Sequence, residues 1–283
     1  MLITSGMRIT GCGMQIDWEL REAGPRGGAR TVLLLPGGLC GAGSYAEMMA
    51  EPALAGVRLV AATLPGHAGA PPPDDYSIEN YALLTSELAT DVGADVVVGF
   101  SMGATVALEM VASRGFTAPV VLLGISLSSK DESALFRAVA RLGGVLGGLP
   151  SAVLAKGAAS MVKRIPVSAE RQAELRADFA KNVPQHLRRG LSEYVRYLHR
   201  HERPAERLCQ AGVPTWIVHA EKGDGGLTDD ERRALEMCPR VHLVTIPGSV
   251  FFLPNEVPDR IAQVIMEAVA AAGSPARAQP AAG

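Results

Sequence analysis

The sequence of 283 residues has no excess of charge of either sign. Its 27 Lys and Arg against 29 Asp and Glu leave a formal net charge of −2. That balance speaks against a nucleic-acid partner or an anionic membrane surface. The densest basic stretch, Arg188–Arg207, is interleaved with Glu193, Glu202 and Glu206. Cysteine is scarce: Cys12, Cys40, Cys209 and Cys238 lie far apart, and no C-x-x-C pair points to zinc or a redox dithiol. A chain of this length does not need a disulfide framework, so the expectation is buried thiols in a reducing cytoplasm. The sequence has no H-x-x-x-H, no Cys/His cluster and no acidic calcium-type loop, so no metal is expected. No G-x-G-x-x-G follows an early strand; Gly41-Ala42-Gly43 is a weak match inside a loop. No flavin or nicotinamide cofactor is therefore expected. Met1–Gly13 lacks a basic start followed by a long apolar run, so no signal peptide is expected. Ala138–Val162 is the one long stretch resembling a membrane segment, and Arg141, Pro150 and Lys156 within it argue against a spanning helix. There is no internal repeat.

What is present is a large apolar fraction, 48% of residues, enough to bury a sizeable core. Met14–Leu20 alternates apolar and polar residues, as a half-buried strand does. Short apolar runs of the kind found in buried parallel strands follow at Thr31–Leu35, Val57–Ala61, Asp95–Val98, Val120–Leu123, Thr215–Val218 and Val241–Ile246. Helical patterns at Tyr45–Met49, Ile78–Thr90, Met102–Ser113, Asp229–Met237 and Asn255–Ala271 separate most of them. Strands alternating with helices predict an α/β fold with a mostly parallel sheet covered on both faces.

One interval breaks the alternation. Between Ser126 and Ala211 no strand pattern occurs, and Gly143, Gly147, Pro150, Pro166 and Pro184 divide the segment into helical pieces. Leu187, Leu191, Tyr194 and Leu198 form an apolar stripe on the last piece. The expectation is a helical cap, residues 126–211, inserted into a core of residues 1–125 and 212–272, with a disordered tail at 273–283. A cap in this position covers the carboxyl edge of the sheet, where open α/β sheets bind ligands.

The most specific signal is Gly99-Phe100-Ser101-Met102-Gly103, a G-x-S-x-G placed between a strand and a helix. The sharp turn needs small residues on both sides of the serine and lifts it above the sheet. On these residues the chain resembles the α/β-hydrolase fold, over nearly its whole length. The resemblance implies an eight-stranded, mostly parallel sheet with the cap after the sixth strand. Leu35-Pro36-Gly37-Gly38-Leu39 resembles the family's oxyanion loop, with Pro36 where histidine is common. It implies a hole built from the N–H of Met102 and that of Gly38 or Leu39. Leu64–Gly69, which contains His67, resembles the loop after the fourth strand.

The family's order is Ser, acid, His. Ser101 is present. The usual spacing puts the acid at Gly223, so Asp224 stands one residue late; Glu221, and Asp131 after the sixth strand, are the other acid candidates. After the last strand the family pattern I-P-G-x-G-H-F reads Ile246-Pro247-Gly248-Ser249-Val250-Phe251-Phe252 here. Phe251 occupies the histidine position and cannot accept a proton. None of the six histidines lies after His242, so no register shift supplies the base. Removing the base from a working triad costs about 10⁴–10⁶ in turnover.

Three readings follow. The first is a repurposed, cofactor-free biosynthetic enzyme acting on a hydrophobic, aromatic or polycyclic natural-product intermediate by cyclisation, C–C bond formation or related proton transfer and addition. Oxyanion donors would hold the developing charge. A pocket of Phe100, Phe251, Phe252, Tyr194 and Tyr197, with Asp131 and His67 nearby, suits such a ligand. The second is an esterase, lactonase or thioesterase with a relocated histidine. The third is a non-catalytic small-molecule binder. The expected partner is a hydrophobic small molecule, with no nucleic acid and no membrane, for a cytoplasmic monomer or homodimer.

Overall fold

The computed structural model describes residues 3–11, 14–27, 30–128, 130–131, 160, 162–163, 165–201, 203–222, 226–248, 250 and 252–273. Asp224, Phe251, most of the 138–162 stretch and the tail beyond Gly273 lie outside the described residues.

Eight strands form one sheet in the order β1-β2-β4-β3-β5-β6-β7-β8. β1 (Ile3–Gly11) and β2 (Met14–Ala23) make an antiparallel hairpin in which Gly11 pairs with Met14. β2 also runs antiparallel to β4 (Arg58–Ala62). Every other pairing is parallel and involves β3 (Thr31–Leu35), β5 (Val96–Phe100), β6 (Val120–Leu123), β7 (Thr215–Ala220) and β8 (Val241–Ile246). The predicted α/β sheet is therefore present. Its added element is β1, whose Gly- and Thr-rich sequence contains no apolar run to announce a strand. β3, β5 and β6 are buried along their whole length, which is why their sequences read as continuous apolar runs rather than alternations.

Helices cover both faces. α1 (Ala46–Met49) and α9 (Pro258–Ala272) share one apolar cluster with Val32, Val98 and Val121. α2 (Ile78–Val92) and α3 (Met102–Ser113) lie on the opposite face with Leu33, Val97 and Leu122. The alternation of Val32 and Leu33 between the two clusters is the strand period of two made visible. Ser77 caps α2 by accepting from the Asn80 N–H at 3.2 Å, and Gly93 ends it in a left-handed turn.

Between β6 and β7 the described chain is helical: α4 (Ala169–Ala180), α5 (Pro184–Arg200) and α6 (Pro204–Ala211). The apolar stripe on α5 faces inward as predicted, with Tyr194 and Leu198 buried. Leu198, Ala205 and Leu208 join the cluster of α2 and α3, so the second half of the excursion packs on the flank of the core. There the buried Glu109 of α3 accepts from Tyr197 Oη at 2.7 Å and pairs with Arg207 at 2.8 Å. The first half is fastened to the opposite layer. Arg171 on α4 donates from Nε to Glu47 at 2.6 Å and also reaches the Gly43 carbonyl. Asn255, in α8 (Leu253–Glu256), donates to Glu47 at 2.7 Å and to the Ser44 carbonyl at 2.8 Å. This is a partly buried, multiply hydrogen-bonded charge pair, in which losing one partner would leave a charge stranded.

Cys209 on α6 and Cys238, just past α7 (Asp229–Glu236), are joined by a disulfide with Cα atoms 5.6 Å apart. The expectation of unpaired buried thiols is corrected for these two; Cys40 is a free, buried thiol. The sequence separation of 29 hides the pairing, because only the packing of α6 beside α7 brings the two together. The bridge encloses β7 and the segment after it that carries Glu221 and Asp224. By loop-closure entropy it contributes roughly 3–4 kcal/mol. Reduction by a phosphine should therefore lower the melting temperature by about 2–4 °C per kcal/mol. Equal melting curves with and without reductant, together with a full count of titratable thiols, would show the bridge to be absent.

Candidate active site

The site begins where β5 turns into α3. Ser101 has φ 50° and ψ −117°, outside the regions open to an L-residue at no cost. Its N–H donates to the Leu123 carbonyl on β6 at 2.8 Å, and its carbonyl accepts from the Ala104 N–H at 2.9 Å. Two absent side chains make this turn possible. A Cβ at Gly99 would lie 2.3 Å from the Gly103 oxygen, and one at Gly103 would lie 2.3 Å from the Leu35 oxygen. Both distances are far inside van der Waals contact. The glycines let the first turn of α3 press against the end of β3.

The loop after β3 lies over this turn. A Cβ at Gly37 would stand 3.4 Å from Ser101 Cβ, and one at Gly38 would stand 3.6 Å from the Met102 sulfur. Met102 opens α3, so its N–H has no intrahelical acceptor and sits at the positive end of the helix dipole. Leu39, at φ 74°, turns its N–H to His67 Nδ1 at 3.1 Å. Of the two loop donors considered, that engages Leu39 and leaves Gly38 without an acceptor among the described hydrogen bonds.

All six histidines fall within the described residues, and none hydrogen-bonds Ser101. His67 is buried, which lowers its pKa to about 4; Nδ1 is taken by Leu39, and Nε2 faces Gly190 without a partner. His186 shares a short hydrogen bond with Tyr76 Oη. His199 Nδ1 lies 2.9 Å from the Val195 carbonyl. His201 packs on Tyr197, with ring centroids 4.5 Å apart. His242 stacks on Trp216 at 4.9 Å, at the far end of the sheet. His219 closes β7, and burial lowers its pKa to about 4, assisted by Arg232. Strand register places it two strands from Ser101, about 10 Å at the usual spacing.

The acid candidates behave differently from one another. Asp224 lies outside the described residues. Glu221 accepts from the Gly248 N–H at 3.1 Å in an exposed turn. Asp131 is buried, and it is the most constrained carboxyl in this part of the fold. Oδ2 accepts from Leu127 N–H at 2.8 Å and Ser128 N–H at 2.9 Å, while Oδ1 accepts from Thr228 N–H at 3.2 Å. It also hydrogen-bonds Glu231, which completes a capping box with Thr228 at the start of α7. Burial, followed by the Glu231 contact, raises Asp131 to about pKa 7, while Glu231 stays below its ordinary value. The two share one proton near neutrality. Asp131 thus pins the loop after β6 to the loop after β7.

The aromatic candidates are divided. Phe100 and Phe252 are both buried and pack together with centroids 5.7 Å apart, next to the elbow. Tyr194 is buried on α5. Tyr197 is directed to Glu109, eight residues along α3 from Ser101 and so about 12 Å away. It is not brought to the elbow.

Sequence reasoning missed Asn182. It follows α4 and carries no motif, yet its Nδ2 donates to the Leu39 carbonyl at 2.9 Å and its Oδ1 accepts from the Ala68 N–H at 2.9 Å. Glu231 was legible in principle, as the fourth residue of a T-x-x-E box. Among the described residues no group of His, Cys, Asp and Glu is arranged to hold a metal ion, and no helix is long and apolar enough to cross a membrane.

The paired carboxyls give a testable sign. A carboxyl whose folded pKa lies above its unfolded value near 4 contributes stability that is lost as pH rises through about 7. The buried histidines act in reverse: their stability is present above about 6.5 and is lost as pH falls toward 4. Between about pH 4 and 6.5 the two histidines outweigh the one carboxyl, so the melting temperature should rise with pH and level off above about pH 7, where neither kind of group changes its proton count on unfolding. Asp131→Asn, which imitates the protonated acid, should steepen the rise between about pH 4 and 7. An unchanged slope in that variant would remove Asp131 as a contributor.

Comparison with curated proteins finds no match. Solved structures match over nearly the full chain. The thioesterase domain from the curacin biosynthetic pathway superposes with a TM-score of 0.67 at 18% identity, covering 93% of this chain and 99% of that one. A thermophilic esterase from Thermogutta terrifontis gives 0.73 at 18%, covering 95% and 100%. The N-acyl homoserine lactonase AidH gives 0.73 at 16%, covering 98% and 100%. At these identities the likeness is one of fold. The family model described as "Alpha/beta hydrolase family" matches residues 32–264, from β3 into α9. That match spans most of the chain, including the serine elbow and the parallel strands, and the chain belongs to the Alpha/beta hydrolase family.

Proposed function

We propose that this is a cofactor-free enzyme that uses the hydrolase elbow for non-hydrolytic chemistry on a hydrophobic, aromatic or polycyclic metabolite. One observation carries the reading. Ser101 is held in the strained turn beside two backbone donors, while every histidine of the chain is engaged or remote. A serine without a base is a poor nucleophile at neutral pH. Backbone donors need no base: the N–H groups of Gly38 and Met102, at the positive end of α3, stabilise any developing enolate or alkoxide. The reaction class is therefore proton transfer, addition or ring closure through an oxyanion. Ser101 is then a hydrogen-bonding group at the reacting oxygen, with proton transfer shared by a carboxyl or tyrosine. The buried Phe100–Phe252 pair, its rings tilted by 44°, supplies apolar surface beside the elbow.

A hydrolytic second reading is favoured by the activities of the structural neighbours, which include an esterase, a thioesterase and a lactonase. It requires a histidine to reach Ser101. His219 lies two strands from the elbow, and its distance and low basicity weigh against it.

A fluorophosphonate probe and two variants separate the readings. The parent should be labelled weakly at Ser101 and should hydrolyse p-nitrophenyl acetate no faster than Ser101→Ala. Phe251→His should create esterase activity abolished by a further Ser101→Ala. Strong labelling of the parent, with ester turnover lost in Ser101→Ala, would establish the hydrolytic reading instead. Turnover of no candidate metabolite, with tight ligand binding retained, would leave a binding protein.

A further inference from the structure

Three described residues other than glycine have positive φ: Leu39 at 74°, Ala68 at 45° and Ser101 at 50°. Each such residue costs on the order of 1–3 kcal/mol unless its surroundings hold it. The elbow glycines and the Leu123 carbonyl hold Ser101. The other two are held by one side chain, Asn182. Its Nδ2 donates to the Leu39 carbonyl at 2.9 Å and to the Phe179 carbonyl at 3.0 Å, and its Oδ1 accepts from the Ala68 N–H at 2.9 Å. Leu39 is fixed at both ends, because its own N–H is bonded to His67 Nδ1 at 3.1 Å. His67 and Ala68 are adjacent, so the loops after β3 and β4 form one closed ring of hydrogen bonds. Asn182 completes that ring from the chain between α4 and α5.

The consequence falls on Gly38. The peptide between Gly38 and Leu39 cannot rotate without breaking the His67 bond, and the one after Leu39 cannot rotate without breaking the Asn182 bond. The peptide that Asn182 holds also donates from the Cys40 N–H to the Gly37 carbonyl at 3.1 Å, and that carbonyl shares its peptide with the Gly38 N–H, so the direction of the Gly38 N–H depends on Asn182. We propose that Asn182 is a positioning residue that locks the oxyanion loop in its working conformation, so that seating of the α4–α5 segment and assembly of the oxyanion donors are one event. The inference rests on the reading that these donors stabilise an oxyanion. It adds that they are ordered only when the helical segment is down. Arg171, through Glu47 and the Gly43 carbonyl, seats the same segment from the other end of α4. The amide is suited to the task because it offers a donor and an acceptor at once.

Hydrogen exchange on the full chain tests the lock directly. Asn182→Ala should raise exchange of the Leu39 and Ala68 amides at least tenfold while α2 and β5 keep wild-type protection. Asn182→Asp, which keeps the acceptor for Ala68 and loses the donor to Leu39, should restore protection at Ala68 alone. Unchanged exchange at Leu39 in both variants would overturn the proposal. The catalytic consequence is read in the Phe251→His background with p-nitrophenyl acetate. There, Asn182→Ala should reduce kcat by about tenfold to hundredfold, the effect of misplacing a catalytic group, with KM within threefold. A raised KM at unchanged kcat would mean that Asn182 only seats the segment, and would also overturn it. If Phe251→His yields no esterase, the oxyanion reading fails while the exchange result still decides the lock.

Discussion

The fold around the site depends on one close approach, that of the first turn of α3 to the end of β3. A methyl group at position 103 would sit 2.3 Å from the Leu35 oxygen and 2.6 Å from the Pro36 oxygen. No rearrangement short of moving the helix or the strand could accommodate it. Because the approach is this tight, the chain leaving β3 runs directly over Ser101. Gly37 and Gly38 then have only the elbow beneath them. The loop after β3 therefore takes its shape from the elbow, the loop after β4 takes its shape from the loop after β3 through His67, and the helical segment docks on both through Asn182. A serine that cannot relax into an ordinary helix start is the origin of the whole arrangement.

The energetics of the surroundings match this dependence. Near the elbow the structure places polar contacts that a simple core would not need. Glu47, Arg171 and Asn255 join three separate segments, and Asp131 with Glu231 joins the loops after β6 and β7. Ion pairs of this kind add little net stability compared with apolar packing, but breaking one partner leaves a charge stranded. Their effect is to select one arrangement of loops. The stability of the chain comes instead from the two apolar clusters on either side of β3, β5 and β6, where the sequence is almost purely aliphatic. A rigid scaffold with a polar, loop-built upper edge is the usual division between stability and function in an α/β sheet.

What was legible in the sequence, and what was not, follows from the range of the interactions. Thr31–Leu35 and Met102–Ser113 are read to the residue, because a buried parallel strand and a helix after G-x-S-x-G are set by local pattern. The elbow and the oxyanion loop carry local signals for the same reason. β1 was missed because Ile3–Gly11 has no periodicity of its own and exists through its pairing with β2. The disulfide, the Asp131–Glu231 pair and the Asn182 bridge join residues far apart in the chain. No spacing rule connects Asn182 to Leu39 across 143 residues. For Tyr197 its place on the apolar face of α5 was visible, but the identity of the layer it faces was not.

The distribution of strain bears on whether the site is in use. A protein that had lost all need for its elbow could relieve Ser101 with a glycine, and Leu39 and Ala68 likewise, at small cost in the rest of the fold. Instead the three strained non-glycine residues among those described lie in the elbow and in the two loops tied to it, each held by named contacts. Strain of this kind persists where the geometry itself is wanted. The proposed loss of the base and the retained strain are consistent with each other. A triad needs its histidine, whereas a pair of backbone donors needs only the right shape of chain, and that shape is what the remaining contacts maintain.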